Sequence, residues 1–429
     1  MSDTSTARSQ PPGEPTPRRE PRPSFSRAVL DAIITGNSAV ITFLAIVVAL
    51  FLGGVLIALS DPDVLPKVGY FFARPSDALT AAWQSVAAAY YALFRGAIVD
   101  PSSILAYVHG TGSFAQIFNP VSETLVAATP LILAGLAVAI SFRSGLFNIG
   151  AQGQIVTGGL LAGWLGFAVH LPIVIHVLVA LAGGIVGGAV FGGIAGWLKA
   201  RTGAHEVITT IMLNYIAFFL LLYLLHSTWF QRPGRTDPIS PVLDTSAQLP
   251  PIFGSSLRVS WGIVAALLAA AGVAWLLDRS TLGFEFRAVG LNPDAARTAG
   301  MSVPRVYVLV MLVSGGLAGL AGGTYVQGTQ HFISPGLHSE LGFTAITVAL
   351  LGRNTPLGTV LAGLLFGALQ AGGTVMQAAT GTPVDVVTVI QALIVIFIAT
   401  PPLVRAIFRL RGRRVGGETE QMLSKGWGG

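Results

Sequence analysis

Between two apolar runs, residues 125–142 and 155–169, the chain reads Gly-Leu-Phe-Asn-Ile-Gly-Ala-Gln-Gly-Gln over residues 145–154. Asn148, Gln152 and Gln154 carry donors and acceptors but no charge. Side chains of that kind can hold an uncharged solute by hydrogen bonds; they are poor acids, bases and nucleophiles. Phe147 beside them offers a ring face for stacking. Thr210 and Asn214 form a second polar pair, four residues apart in the run 207–225 and so on one face of a helix. That pair reads either as a stripe facing a pore or as hydrogen bonding between helices. Gln370, Gln377 and His176 read as packing groups, and Arg353 as an anchor in a tight turn.

No arrangement in the sequence supports catalysis. The seven histidines are scattered, the acidic residues lie mostly in loops, and there is no cysteine. No metal-ligand spacing, Gly-x-Ser-x-Gly turn or phosphate-binding P-loop occurs. The expectation is a protein that is not an enzyme and binds no metal or cofactor. Any ATP it depends on is hydrolysed by another subunit.

A different kind of feature lies in the basic loop 279–305. Asn292 is a good N-cap, Pro293 suits the first turn, and Asp294, Ala295, Ala296 and Arg297 continue a short helix that Gly300 stops. A small, capped helix flanked by arginines suits docking into a groove on a partner. It is equally compatible with a solvated surface helix whose arginines only set orientation.

The elements that position these residues follow from hydropathy. Of the 429 residues, 52% are hydrophobic and 10% charged, far below the quarter usual in soluble domains. The chain is expected to be all-α and polytopic in a membrane. Apolar runs at 39–59, 125–142, 155–169, 172–198, 207–225, 261–277, 306–326, 341–351, 357–376 and 386–403 make about ten segments. Residues 341–351 are too few for a straight span and read as a short or re-entrant helix. Residues 78–98 read as an interfacial helix. Arginines before the first run, in the loop 279–305 and after residue 404 place both termini in the cytoplasm. The expected organisation is a disordered arm at 1–38, a transmembrane permease domain at 39–404, and a basic tail at 405–429. Net charge +6 in this setting points to the membrane rather than to nucleic acid. Intramembrane Asp, Glu and Lys are scarce, which counts against an ion-coupled carrier.

Taken together, residues 145–154, 205–215, 289–301 and 350–358 resemble the permease subunit of a bacterial ATP-binding cassette importer. The branch they look like is the nucleoside and simple-sugar branch, related to the branched-chain amino acid and ribose permeases. The string Gly-Leu-Phe-Asn-Ile-Gly-x-x-Gly-Gln carries most of that resemblance. The resemblance implies import of a nucleoside or simple sugar across the bacterial inner membrane. It implies three partners: a separate ATPase, a second permease subunit that is often non-identical, and an extracytoplasmic substrate-binding protein. It also implies that residues 292–301 are the helix on which the ATPase docks, and that residues 145–154 lie by the translocation path. The alternative function is a stand-alone secondary transporter or channel.

Overall fold

A computed structural model describes residues 38–338 and 340–409 of the protein. The expected arm at 1–38 and tail at 405–429 lie outside the described residues, apart from residue 38 and residues 405–409. Contacts divide the chain into a compact unit, residues 45–400, and a second unit made of the two ends. In the second unit the described parts are the first residues of the opening helix and the short helix Pro401–Ile407.

The principal helices are α1 (Ser38–Ser60), α2 (Pro75–Ala97), α3 (Phe114–Arg143), α4 (Ala151–Ala168), α5 (Ile173–Thr202) and α6 (Glu206–Leu225). After a long loop come α7 (Gly262–Arg279), α8 (Thr281–Leu291), α9 (Pro293–Thr298) and α10 (Val303–Tyr325). A π-helical turn, Val326–Gln330, ends α10, and α11 (Leu341–Leu351), α12 (Pro356–Thr380) and α13 (Asp385–Ala399) follow. Among the described residues there is no strand, so the all-α expectation holds. Among the described residues, seven helices are long and apolar enough to cross a membrane: α1, α3, α5, α6, α7, α10 with its π turn, and α12. The other three predicted segments became α4, α11 and α13, which are short or carry amides. The protein is a multi-pass membrane protein. Helix α2, the expected interfacial segment, is not among the seven.

The bundle is layered. In α3, 78% of the most apolar stretch is buried, against 22% in α6. Helix α3 is therefore the inner helix and α6 belongs to the rim. Its start is set by the Ser113 backbone N–H, which donates to Gln116 Oε1 at 3.0 Å. Helix α4 is buried without exception from Ala151 to Leu160.

Helices α5 and α10 meet through Gly184, Gly188 and Gly192 on one side and Gly315, Gly319 and Gly323 on the other, each set at four-residue spacing. A Cβ built on Gly188 would collide with the Gly315 carbonyl oxygen and the Gly319 Cα. Backbone packs on backbone there. Replacing Gly188 by leucine should cost at least about 3 kcal/mol, because no side chain can move aside. The check is the yield and thermal stability of the detergent-solubilised variant. Wild-type stability would refute the close packing.

Candidate functional site

The polar break is shorter than the sequence suggested. Helix α4 starts at Ala151, so Gln152 and Gln154 lie in its first turn and only residues 144–150 are irregular. The turn begins at Gly145, whose φ of +72° favours glycine. It fits closely against the backbone of Gly290 in α8. The cytoplasmic loop of the sequence reading thus rests directly on the break.

The structure gathers five of the six candidate residues into a buried knot. Asn148 is fully buried, and its Nδ2 donates to Gln154 Oε1 at 3.0 Å and to Ser314 Oγ at 2.9 Å. Its Oδ1 accepts from the Gly150 N–H at 2.9 Å and from Gln154 Nε2 at 3.3 Å. Ser314 in turn donates to the Ala137 carbonyl at 2.7 Å, tying α10 to α3. Asn214 Oδ1 accepts from the Gly153 N–H at 2.8 Å, and its Nδ2 donates to the Ile149 carbonyl at 3.0 Å. Thr210, also buried, donates to the Val207 carbonyl within its own helix. Gln152 Oε1 accepts from the Gly342 N–H at 2.7 Å, which pins the start of α11 to the start of α4. Phe147 stands apart, 58% exposed, its ring 5.3 Å from that of Phe142. His176 is structural, as expected: its ring meets Ser246 Oγ at 2.8 Å and the Leu165 carbonyl at 3.1 Å.

The capped helix in the loop 279–305 forms as read. Asn292 Oδ1 accepts from the N–H groups of Asp294 and Ala295, both at 3.0 Å. Arg297 Nη1 pairs with Asp294 Oδ1 at 3.0 Å, Gly300 has φ +87°, and Pro293 opens the first turn. The two alanines differ. Ala296 is buried against the bundle, and Ala295 faces outward with Asp294 and Arg297.

A cavity of about 530 Å³ lies elsewhere in the bundle, within the 300–1,000 Å³ usual for small-molecule sites. None of the six candidates lines it. Helix α3 contributes Glu123, Val126, Ala127 and Pro130, one helical stripe. Pro130 has no N–H, so the Val126 carbonyl beside it lacks its helical donor. Val384, Val387, Thr388 and Gln391 repeat the stripe around the start of α13. Helix α12 adds Gln370, Ala371 and Thr374, and Tyr325 and Thr329 come from the end of α10.

The remaining wall is the N-terminus of α11, with Glu340, Leu341 and Thr344. Ile333 lies nearest Gly163, Leu337 nearest Gly159, and Gly342 bonds Gln152. The chain therefore runs back down α4 before α11 begins, and α11 starts inside the helix layer. A discontinuous helix whose positive end meets a cavity is a recurrent way to build a solute site in transporters. At the mouth Arg258 Nη1 meets Glu123 Oε2 at 3.0 Å, and with side chains 60% and 30% exposed that pair contributes at most about 1 kcal/mol.

Gln370, expected to be a packing group, sits in the cavity wall, and Gln377 is exposed. Gln391 was not singled out. The available signal was Thr388 and Gln391 three apart in an otherwise apolar final segment, on the same face as Val384 and Val387.

Comparison with known proteins adds an independent line. Residues 121–399 match the family described as branched-chain amino acid transport system, permease component. The guanosine ABC transporter permease protein NupP of Bacillus subtilis is 41% identical over 297 residues, covering 69% of this chain and 85% of that protein. The glucose ABC transporter permease protein TsgB13 of Haloferax volcanii is 39% identical over 288 residues, 65% of this chain and 76% of that protein. A second B. subtilis protein, the guanosine ABC transporter permease protein NupQ, is 29% identical over 262 residues, 58% of this chain and 80% of that protein. No solved structure matches the chain.

Proposed function

Because the chain belongs to the branched-chain amino acid transport system permease family and is a permease subunit of an ATP-binding cassette transporter, we propose that it imports a nucleoside or simple sugar through the cavity between α3, α11, α12 and α13. The observation that carries this reading is the chemistry of that cavity. Its walls mix apolar groups with neutral donors and acceptors, and its Glu123–Arg258 pair is self-neutralising. Glu340 leaves one carboxylate facing the space, so an anionic solute such as a nucleotide is disfavoured. The guanosine and glucose named for NupP and TsgB13 are both neutral and rich in hydrogen-bonding groups.

In this reading the buried knot holds the site rather than touching solute. Asn148, Gln154, Thr210 and Asn214 fix the break, and Gln152 fixes the cavity's α11 wall through Gly342. Phe147 stays at the surface near the loop. A separate ATPase docks on α9, at Asn292, Pro293, Asp294, Ala295, Arg297 and Gly300, with Ala296 anchoring the helix from beneath. Hydrolysis of ATP on that subunit drives the switch between outward and inward access. The pair NupP and NupQ in one organism supports a second, non-identical permease subunit here. An extracytoplasmic binding protein supplies the solute. The domain spans 39–404 in the bacterial inner membrane with lipid around its rim, an arm at 1–38 and a basic tail at 405–429, both termini cytoplasmic.

The test is uptake into proteoliposomes holding this chain, its ATPase and its second permease, with binding protein outside. Labelled guanosine or glucose should accumulate with ATP inside, and guanosine monophosphate should not. Uptake by this chain alone under an ion gradient would instead establish a secondary transporter.

A further inference from the structure

We propose that Gln391 is a solute-reading residue of this cavity, its amide donating a hydrogen bond to an acceptor on the uncharged solute. This rests on the assignment of the cavity as the solute path. Gln391 lies on α13 among Val387, Ile390 and Ile394, with only 7% of its surface exposed. Its Nε2 has no hydrogen-bond partner among the described residues. Gln152 Nε2 is likewise unpaired but does not border this cavity, whereas Gln391 does, and a buried donor without a partner gains from an acceptor brought by a solute. Here the side chain lines the cavity, and its broad last torsion lets the amide turn toward a solute in that space.

The surroundings support the same role. Thr388 lies three residues before Gln391 on the same stripe, and Thr374 faces the space from α12. The Thr374 hydroxyl donates to the Ala371 carbonyl at 2.7 Å, which leaves its oxygen as an acceptor. The Val126 carbonyl, short of a helical donor, is a further acceptor on the α3 side. A donor on one wall and acceptors on the others match a solute with mixed hydrogen-bonding edges. Ring nitrogens and carbonyls of a nucleobase, or sugar hydroxyl oxygens, share the acceptor that Gln391 requires. The bound solute pairs the amide that the empty protein leaves unpaired, so the bond favours the loaded state over the empty one.

Replacement by leucine, Gln391→Leu, separates this role from a structural one. It keeps the volume and deletes a group that bonds nothing in the protein. The expected result is unchanged or raised thermal stability with the KM for guanosine or glucose uptake raised about tenfold, and Gln391→Asn falling between. The protein has no cysteine, so Gln391→Cys gives a single labelling position. A small water-soluble thiol reagent should modify it, and guanosine or glucose should slow that reaction several-fold. Val389→Cys, exposed on the outer face of α13, should show no such protection. An unchanged KM in Gln391→Leu, or unprotected labelling of Gln391→Cys, with an active wild type overturns this inference alone. A wild type that moves neither guanosine nor glucose overturns the functional reading, and this inference with it.

Discussion

The Asn148→Ala variant is expected to lose a large share of its folding stability, well beyond a loss of transport. The change removes four hydrogen bonds at once from a fully buried position. It strands both ends of the Gln154 amide and the Gly150 N–H, none of which water reaches readily. At about 1–3 kcal/mol for each buried group left unpaired, the sum is about 3 kcal/mol or more. Whole domains are stable by only about 5–15 kcal/mol. Thermal unfolding of the solubilised protein measures it. Asn148→Asp keeps the acceptor for Gly150 and loses the donors to Gln154 and Ser314, so it should still be unstable. Phe147→Ala, at an exposed neighbour, should unfold at the wild-type temperature. If Asn148→Ala were as stable as wild type yet inactive in uptake, Asn148 would be a solute contact after all.

The second large effect is on coupling. Ala295→Glu is expected to cut ATP-driven uptake at least tenfold while the protein inserts, folds and assembles. Ala295 faces outward on α9, beside the ion-paired Asp294 and Arg297, and is exposed among the described residues, so a longer side chain has room there. A bulky charge there obstructs only what docks from outside. ATP hydrolysis by the assembled complex should persist or become independent of solute. Ala296→Glu serves as the contrast. It buries a charge under α9 and should destabilise the fold by several kcal/mol. The two alanines look equivalent in the sequence, and only their burial separates them. Normal uptake by Ala295→Glu would remove α9 from the docking surface.

That pair shows where sequence reasoning reaches and where it stops. Apolar runs fix helices because burial and lipid act on each residue through its own chemistry. The run 341–351 emerged as α11 with the same ends, and the run 207–225 as α6 with one residue more. The Asn292 cap was legible because its hydrogen bonds reach only two and three residues ahead. The polar break was legible as a break, but its meaning was not. Asn148 is paired with Ser314, 166 residues away, and nothing local distinguishes an amide satisfied by a distant helix from one facing solute. The cavity was less legible still. Gln370, Thr374, Thr388 and Gln391 lie on two helices, each an ordinary polar residue alone, and only packing brings them round one space.

The glycine contact between α5 and α10 also bears on which parts of the protein can move. Helices separated by side chains can slip past one another as rotamers exchange. These two have no such intervening layer, and a shift along either axis drives Cα atoms into carbonyl oxygens. The pair is a stationary keel. The contact of α13 with α12 is of the other kind, since there the Val387 side chain packs over Gly373 and can exchange rotamers as the helices shift. Distances measured from a probe fixed on the keel therefore report movement of the other helices in an unmoving frame.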